Sequence, residues 1–159
     1  DLALQLLHEG AQPPAALALF SPLVDPTLEL AVELEKVRRD PMASVAVAQR
    51  LLDLYFGDAD RGLPRLTFSF EDAAAFPPVL VQAGGRELLM ADAQELARAL
   101  TDAGGHCELE IWPGQMHVFQ ALARIVPEAE PALRRAADFI VTELAAAERR
   151  GDFRLLEGA

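Results

Sequence analysis

The sequence predicts an α/β fold in which parallel strands are flanked by helices. Three runs have strand patterns, at residues 15–20, 79–84 and 107–112, and helical patterns separate or follow them. The first two runs are almost wholly apolar, which is typical of parallel strands covered on both faces. Because strand and helix alternate along the chain, we expect a parallel sheet with right-handed crossovers.

The composition indicates one ordinary domain. The chain has 159 residues with a hydrophobic fraction of 52%, which is enough to bury a core. No apolar run approaches the roughly 20 residues that cross a bilayer, and no secretion signal is visible at the start of the sequence. We therefore expect a soluble protein with no membrane span and a cytoplasmic location. The single cysteine, Cys107, excludes an internal disulfide.

Charge and motif content argue against several classes of partner. The formal net charge is -11, which repels phosphate backbones, so we expect no nucleic-acid partner. The three histidines and one cysteine lack the spacing of a zinc site, and no glycine-rich phosphate loop is present. We therefore expect neither a metal nor a cofactor.

The first half of the chain is predicted to contain a helix at 2–9, a strand at 15–20, and helices at 27–39 and 43–56. The apolar strand is expected to be central in its sheet, and Ser21, which stands before a proline at its end, is expected to be structural. Asp40 precedes a proline that separates the two later helices, and Gly57 ends the second of them.

The second half is predicted to contain a strand at 79–84, a helix at 88–103, a strand at 107–112 and a helix at 128–149. Periodicity predicts the buried faces of the two helices. These faces comprise Leu89, Ala93, Leu96, Ala97 and Leu100, then Leu133, Ala136, Ala137, Ile140, Val141 and Leu144. The aromatic residues Phe68, Phe70 and Phe76 are expected to pack under a loop rather than to form a substrate pocket.

Candidate catalytic residues follow the last two strands. His117 comes after a strand that Pro113-Gly114 stops, and Glu87 and Asp92 come after the preceding strand. Adjacent ends of parallel strands bring such loops together, so a carboxylate can hold the His117 ring in the tautomer that accepts a proton. Alternatively, His117 only tethers its turn, and Glu87 is a solvated acid that pairs with Arg86 or caps the following helix.

The motifs together resemble the C-terminal half of the hormone-sensitive-lipase-like esterases, an α/β-hydrolase group. The residues that carry the resemblance are FPPVLVQAG (76–84), ELL (87–89) and IWPGQMHVF (111–119), supported by LFSPLVD (19–25), RDPM (39–42) and YFGDAD (55–60). The resemblance covers residues 1 to about 145 and implies a serine carboxylic-ester hydrolase with a small-molecule ester as substrate.

The resemblance assigns roles to the candidate residues. It implies that His117 is the general base and Glu87 the acid of a catalytic triad, with Asp92 as the fallback acid. The family's nucleophilic serine lies in a GxSxG motif, and its oxyanion hole lies further upstream, so both would precede Asp1. No serine in this chain has those flanking glycines, and we expect the polypeptide alone to be inactive as an esterase.

The resemblance also implies an organisation of the chain. Residues 1–150 are expected to be a partial α/β-hydrolase domain, in which 26–62 form a cap-like or pocket-lining helical insertion, and 151–159 a C-terminal tail. The edge beside strand 15–20 is expected to recruit the N-terminal half or a second copy. Two alternatives stay open: a non-catalytic binding or scaffolding module, and an α/β hydrolase that acts on amides or peptides.

Overall fold

A computed structural model describes residues 2–58, 70 and 73–151. The described part contains three strands, β1 (Leu17–Phe20), β2 (Val79–Gly84) and β3 (Cys107–Trp112). Its α-helices are α1 (Leu2–His8), α2 (Glu29–Val37), α3 (Val45–Phe56), α4 (Met90–Asp102) and α5 (Ala129–Arg150), and a 3₁₀ helix spans Phe119–Leu122. The predicted α/β class and the order of its elements are confirmed.

The sheet is parallel, with the order β1-β2-β3. Leu17 pairs with Val79, and Val79 pairs with Cys107, so the three strands begin level with one another. All six residues of β2 are buried, as the apolar run predicted. The prediction that β1 is central is wrong for the described chain, because β1 pairs there only with β2 and each of its residues is only partly buried.

The core lies on both faces of β2. Val79, Val81 and Ala83 pack with Ala93, Leu96 and Leu100 of α4 and with Ala73. Leu80 points to the opposite face and packs with Ala136 and Phe139 of α5. This division follows from the period of two along a strand, which directs alternate side chains to opposite faces. The sheet is thus a middle layer between α4 and α5.

The predicted face of α4 is largely confirmed, but that of α5 is partly wrong. Leu133 and Val141, predicted to be buried, are 38% and 66% exposed. The residues that α5 buries are Ala129, Ala132, Ala136, Phe139 and Ala147. Four of these five residues are alanines, and Ile140, although only partly buried, packs against the same cluster as Ala136 and Phe139. Only Ala136 belongs to both the predicted and the observed buried sets.

Helix boundaries differ where side chains cap the backbone. Helix α2 begins at Glu29 rather than at residue 27, because Asp25 Oδ1 accepts a 2.9 Å hydrogen bond from Thr27 N and Oδ2 accepts one of 3.0 Å from Leu30 N. The next helix begins after Ser44, whose hydroxyl accepts a hydrogen bond from Val47 N at 3.3 Å. It ends at Phe56, and Gly57 is its C-cap, as predicted.

Two smaller predictions have different outcomes. The rings of Phe70 and Phe76 meet edge to face at 5.4 Å and pack against the core, which confirms that they are packing residues; Phe68 lies outside the described residues, as does the tail from 152 to 159. Across the described ranges, no helix is both long and apolar enough to span a bilayer. The cytoplasmic location stays a prediction.

Candidate active site

The site lies at the C-terminal edge of the sheet. Because the three strands are parallel, the segments that follow them emerge at the same edge, where open α/β sheets collect their ligands and catalytic groups. Residues 85–89 follow β2 and form the acid loop, which carries Glu87. Residues 113–118 follow β3 and form the histidine loop, which carries His117.

Backbone hydrogen bonds hold the two loops together. Gly85 N donates to Trp112 O at 2.7 Å, and Arg86 N donates to Gln115 O at 2.9 Å. Glycine is required at position 84, because a Cβ there would lie 2.5 Å from the Gln115 carbonyl oxygen. The loops therefore lie side by side, as the strand order predicts.

Glu87 is the buried carboxylate of the acid loop. Its side chain is 1% exposed, and its Oε2 accepts hydrogen bonds from Ser21 Oγ at 2.7 Å and from Gly84 N at 2.9 Å. Its Oε1 has no hydrogen-bond partner among the described residues. Burial raises the pKa of Glu87, an effect that these two hydrogen bonds oppose. Such burial is inconsistent with the alternative of a solvated acid.

His117 is half-buried on the histidine loop. Burial lowers the pKa of His117, and the negative charge of Asp40 opposes that shift. Within residues 2–58, 70 and 73–151, no hydrogen bond involves the His117 ring. The structure thus gives neither a ring hydrogen bond that would tether the turn nor one to Glu87 or Asp92.

Asp92, the second acidic candidate, lies in the first turn of α4 and is fully buried. Its Oδ1 accepts hydrogen bonds from Val24 N at 3.0 Å and from Asp25 N at 2.9 Å. These contacts attach the segment after β1 to α4. Burial raises the pKa of Asp92. Its Oδ1 binds the backbone of that segment, and its Oδ2 has no hydrogen-bond partner among the described residues.

Two residues of the site were not predicted from the sequence as parts of it. Ser21 joins Glu87 to the histidine loop, since its hydroxyl also accepts a 3.0 Å hydrogen bond from Val118 N. Asp40 was predicted only to separate two helices, but its Oδ2 accepts a 2.7 Å hydrogen bond from Leu88 N on the acid loop. The Asp-Pro pair signals a turn; a partner 48 positions away leaves no local signal.

A small cavity opens beside His117. Its volume is about 210 Å³, and His117 and Asp40 are its ionisable lining residues. The rest of the lining is apolar and comes mainly from leucines, including Leu23, Leu28, Leu51, Leu52 and Leu89. Helix α3 therefore contributes to its wall, together with Leu28 at the start of α2 and the acid loop. Among the described residues, no group of three or more His, Cys, Asp or Glu side chains is placed to hold a metal ion.

The chain is similar to esterases of known sequence. It is 31% identical over 141 residues to an acetyl-hydrolase of Streptomyces hygroscopicus, covering 88% of this chain and 47% of that protein. It is 32% identical over 142 residues to the esterase LipU of Mycobacterium tuberculosis, covering 86% of this chain and 48% of that protein. The chain thus spans about half the length of these relatives.

Solved structures give the same result. A hormone-sensitive lipase from a metagenome library superposes with a TM-score of 0.78 at 31% identity, covering 88% of this chain and 48% of that one. An esterase from the bacterial hormone-sensitive lipase family superposes with a TM-score of 0.79 at 29% identity, with 89% and 48% covered. A sequence profile described as alpha/beta hydrolase fold matches residues 1–121. The chain therefore belongs to the α/β-hydrolase fold family, within its hormone-sensitive-lipase-like esterases.

Proposed function

We propose that this chain is the C-terminal portion of a serine carboxylic-ester hydrolase and supplies the base and the acid of its catalytic triad. The observation that carries the proposal is the juxtaposition of the acid loop and the histidine loop, held by hydrogen bonds from Gly85 N and Arg86 N. Membership of an esterase family supports the reaction class.

His117 acts as the general base. One ring nitrogen takes the proton of the serine hydroxyl as its oxygen attacks the ester carbonyl, and the ring then gives this proton to the leaving alcohol. Water releases the acyl group by the same sequence of proton transfers. The lowered pKa of His117 supports this role, because the neutral ring that accepts the proton is then the prevailing form near neutral pH.

Glu87 orients the ring and stabilises the imidazolium. Its Oε1 is buried and has no partner among the described residues, so it is free to accept the N–H of the His117 ring. Asp92 also has a buried oxygen without a partner among the described residues, Oδ2, but it lies in α4 beyond the acid loop and is therefore the weaker candidate. The nucleophilic serine and the oxyanion hole come from a portion of the enzyme outside this chain, so the 159 residues alone do not hydrolyse esters.

The leucine-lined cavity receives the acyl group. At about 210 Å³ it is smaller than the roughly 300–1,000 Å³ of pockets for drug-sized ligands, so it suits short acyl chains. The charge of Asp40 in its wall disfavours acyl groups that carry a carboxylate of their own. We assign much of this wall to the predicted insertion at 26–62, since Leu28, Asp40 and residues of α3 line the cavity.

The test is a joined enzyme, in which this chain is fused to the N-terminal portion of one of the similar esterases. We expect it to release p-nitrophenol from p-nitrophenyl butyrate, whereas the chain alone does not. His117→Ala lowers kcat by about 10⁵–10⁶, and the matched control His106→Ala, a 56% exposed side chain beside the start of β3, leaves the rate unchanged. A folded but inactive joined enzyme, or equal rates with and without the His117 ring, contradicts the proposal.

The exposed side of β1 is the proposed contact with the rest of the enzyme. In the described chain β1 hydrogen-bonds only to β2, so its other side can pair with a strand of the N-terminal portion or of a second copy. Light scattering of the 159-residue chain, with and without the N-terminal portion, measures this. A monomer that stays monodisperse and does not bind that portion would instead favour the non-catalytic binding module.

A further inference from the structure

Ser21 is the first residue after β1 and extends its pairing by one position. Its backbone N–H donates to Gln82 O at 2.8 Å, and its side chain is nearly inaccessible to solvent. The residue has a φ of 49°, a left-handed conformation that serine rarely adopts. The backbone therefore turns sharply at the end of the strand, and the turn places the hydroxyl among the loops of the candidate site.

The Ser21 hydroxyl makes two hydrogen bonds of opposite sense. Oγ donates to Glu87 Oε2 at 2.7 Å and accepts from Val118 N at 3.0 Å. Because a hydroxyl has one proton, the Val118 N–H directs that proton to the carboxylate. One side chain thus contacts both the acid and the residue that directly follows His117.

The second contact is made at a strained position. Val118 has φ 47° and ψ 42°, a left-handed conformation that is unfavourable for a β-branched residue. Strained residues persist where surrounding contacts fix them, and they are concentrated at functional sites. The hydrogen bond to Ser21 is one such contact, and it fixes the backbone on which the His117 ring is carried.

We propose that Ser21 is a positioning residue for ester hydrolysis, which sets the Glu87 carboxylate and the His117 backbone in register through a single hydroxyl. This inference rests on the proposed function. A purely structural serine at a strand end would affect kcat only as far as it affects stability. A positioning role instead predicts a loss of kcat that does not follow the loss of stability.

Two variants separate positioning from stability. Ser21→Ala and Ser21→Gly both remove the hydroxyl, but glycine also relieves the left-handed strain, so Ser21→Gly should melt at a higher temperature than Ser21→Ala. In the joined enzyme we expect both to lower kcat by about 10–100-fold with KM changed less than about threefold. Thr101→Val is the matched control, since it removes a hydroxyl bonded to Ala97 O on α4, away from the site, and should leave kcat unchanged.

A second readout needs no catalysis. In the 159-residue chain we expect Ser21→Ala and Ser21→Gly to speed hydrogen exchange of the Val118 amide by at least about tenfold relative to the β2 amides. We expect no such change in Thr101→Val. An inactive joined wild type together with this selective exchange would overturn the proposed ester hydrolysis but leave the link from Ser21 to Val118 intact. The positioning role would be overturned if both Ser21 variants kept the wild-type kcat, or if their losses of kcat followed their melting temperatures. Unchanged hydrogen exchange of the Val118 amide would also overturn it.

Discussion

Ser21 Oγ and Glu87 Oε2 are 2.7 Å apart in the folded chain, although 66 positions separate the two residues in sequence. This buried hydrogen bond connects the end of β1 to the acid loop, and the further contact of Ser21 with Val118 N connects both to the histidine loop. The candidate site is therefore assembled from segments after all three strands. Its integrity depends on strand register, because each segment is positioned by the strand that precedes it.

The choice between the two acidic candidates is tested by neutral isosteres. In the joined enzyme, Glu87→Gln should lower kcat by roughly 10³–10⁴, because an amide cannot stabilise the imidazolium as a carboxylate does. Asp92→Asn should stay within several-fold of the wild type, since its amide oxygen can still accept from Val24 N and Asp25 N. Steady-state kinetics on both variants decide the point, and the reverse ranking would make Asp92 the acid.

The buried Glu87 should also make the stability of the protein depend on pH. Burial raises the pKa of Glu87 above the ordinary 4.5. The contribution of Glu87 to the free energy of unfolding is therefore fully present below pH 4.5, and this stabilisation is lost as the pH rises through the raised pKa. The glutamine of Glu87→Gln does not titrate, so this variant should be more stable than the wild type at pH 7 and should melt at a higher temperature.

Thermal melts of the 159-residue chain at several pH values measure this difference. The gain in Tm should shrink toward zero as the pH falls below 4.5, because Glu87 is then protonated in both states. The same melts on Leu133→Gln, a 38% exposed position on α5, provide a reference substitution with no titrating group. A pH-independent gain for Glu87→Gln would contradict the assignment of its raised pKa.

The fall of activity toward low pH should reflect the protonation of His117. The ring must be neutral to accept the serine proton, and its pKa is lowered from the ordinary 6.5 by burial. In the joined enzyme, kcat/KM should therefore fall toward low pH with a midpoint below 6.5. Asp40→Asn should move the midpoint lower still, because the charge that raises the His117 pKa is removed. An upward shift of the midpoint in Asp40→Asn, or no fall of activity toward low pH at all, would be inconsistent with His117 as the base.

Close contact between the loops makes Gly84 irreplaceable. The Cβ of Gly84→Ala would lie 2.5 Å from Gln115 O and 2.6 Å from Met116 O, and backbone atoms cannot move aside as a flexible side chain can. We expect a loss of about 1–3 kcal/mol in unfolding free energy and roughly 10²-fold in kcat as the histidine loop is displaced.

Gly10→Ala is the control for that substitution. It lies far along the chain from the site, has a φ of +67°, and would place its Cβ in open space. It should cost about 1 kcal/mol through backbone strain, with kcat unchanged. Urea unfolding and kinetics on the two joined variants measure both effects. Equal losses of kcat in the two would show that the contact between the loops is unimportant.

Much of the fold could be predicted from the sequence because its signals are local. The apolar run of β2, the alternation of β3 and the glycine after α3 each depend on a few neighbouring residues. The positions of Glu87 and His117 just beyond strand ends could also be predicted, since parallel strands share an edge. Their chemical roles came from the resemblance to esterases, and these roles stay a proposal.

Helix α5 and strand β1 were harder to predict because their environments depend on neighbours that are distant in sequence. A helix rich in alanine has several possible apolar faces, and only docking on Leu80 of β2 selected the one with Phe139. Likewise, an apolar run does not specify how many strands pair with it.

By itself, the amino-acid sequence determined which segments become strands and helices, and which acidic and histidine residues follow the strands. Only the tertiary structure decided that Ser21, rather than a carboxylate, contacts the histidine loop through Val118 N, and that Asp40 reaches Leu88 N. The physical reason is that periodicity and turn chemistry act over a few residues, whereas hydrogen bonds across 97 and 48 positions exist only once strand register and helix packing are fixed.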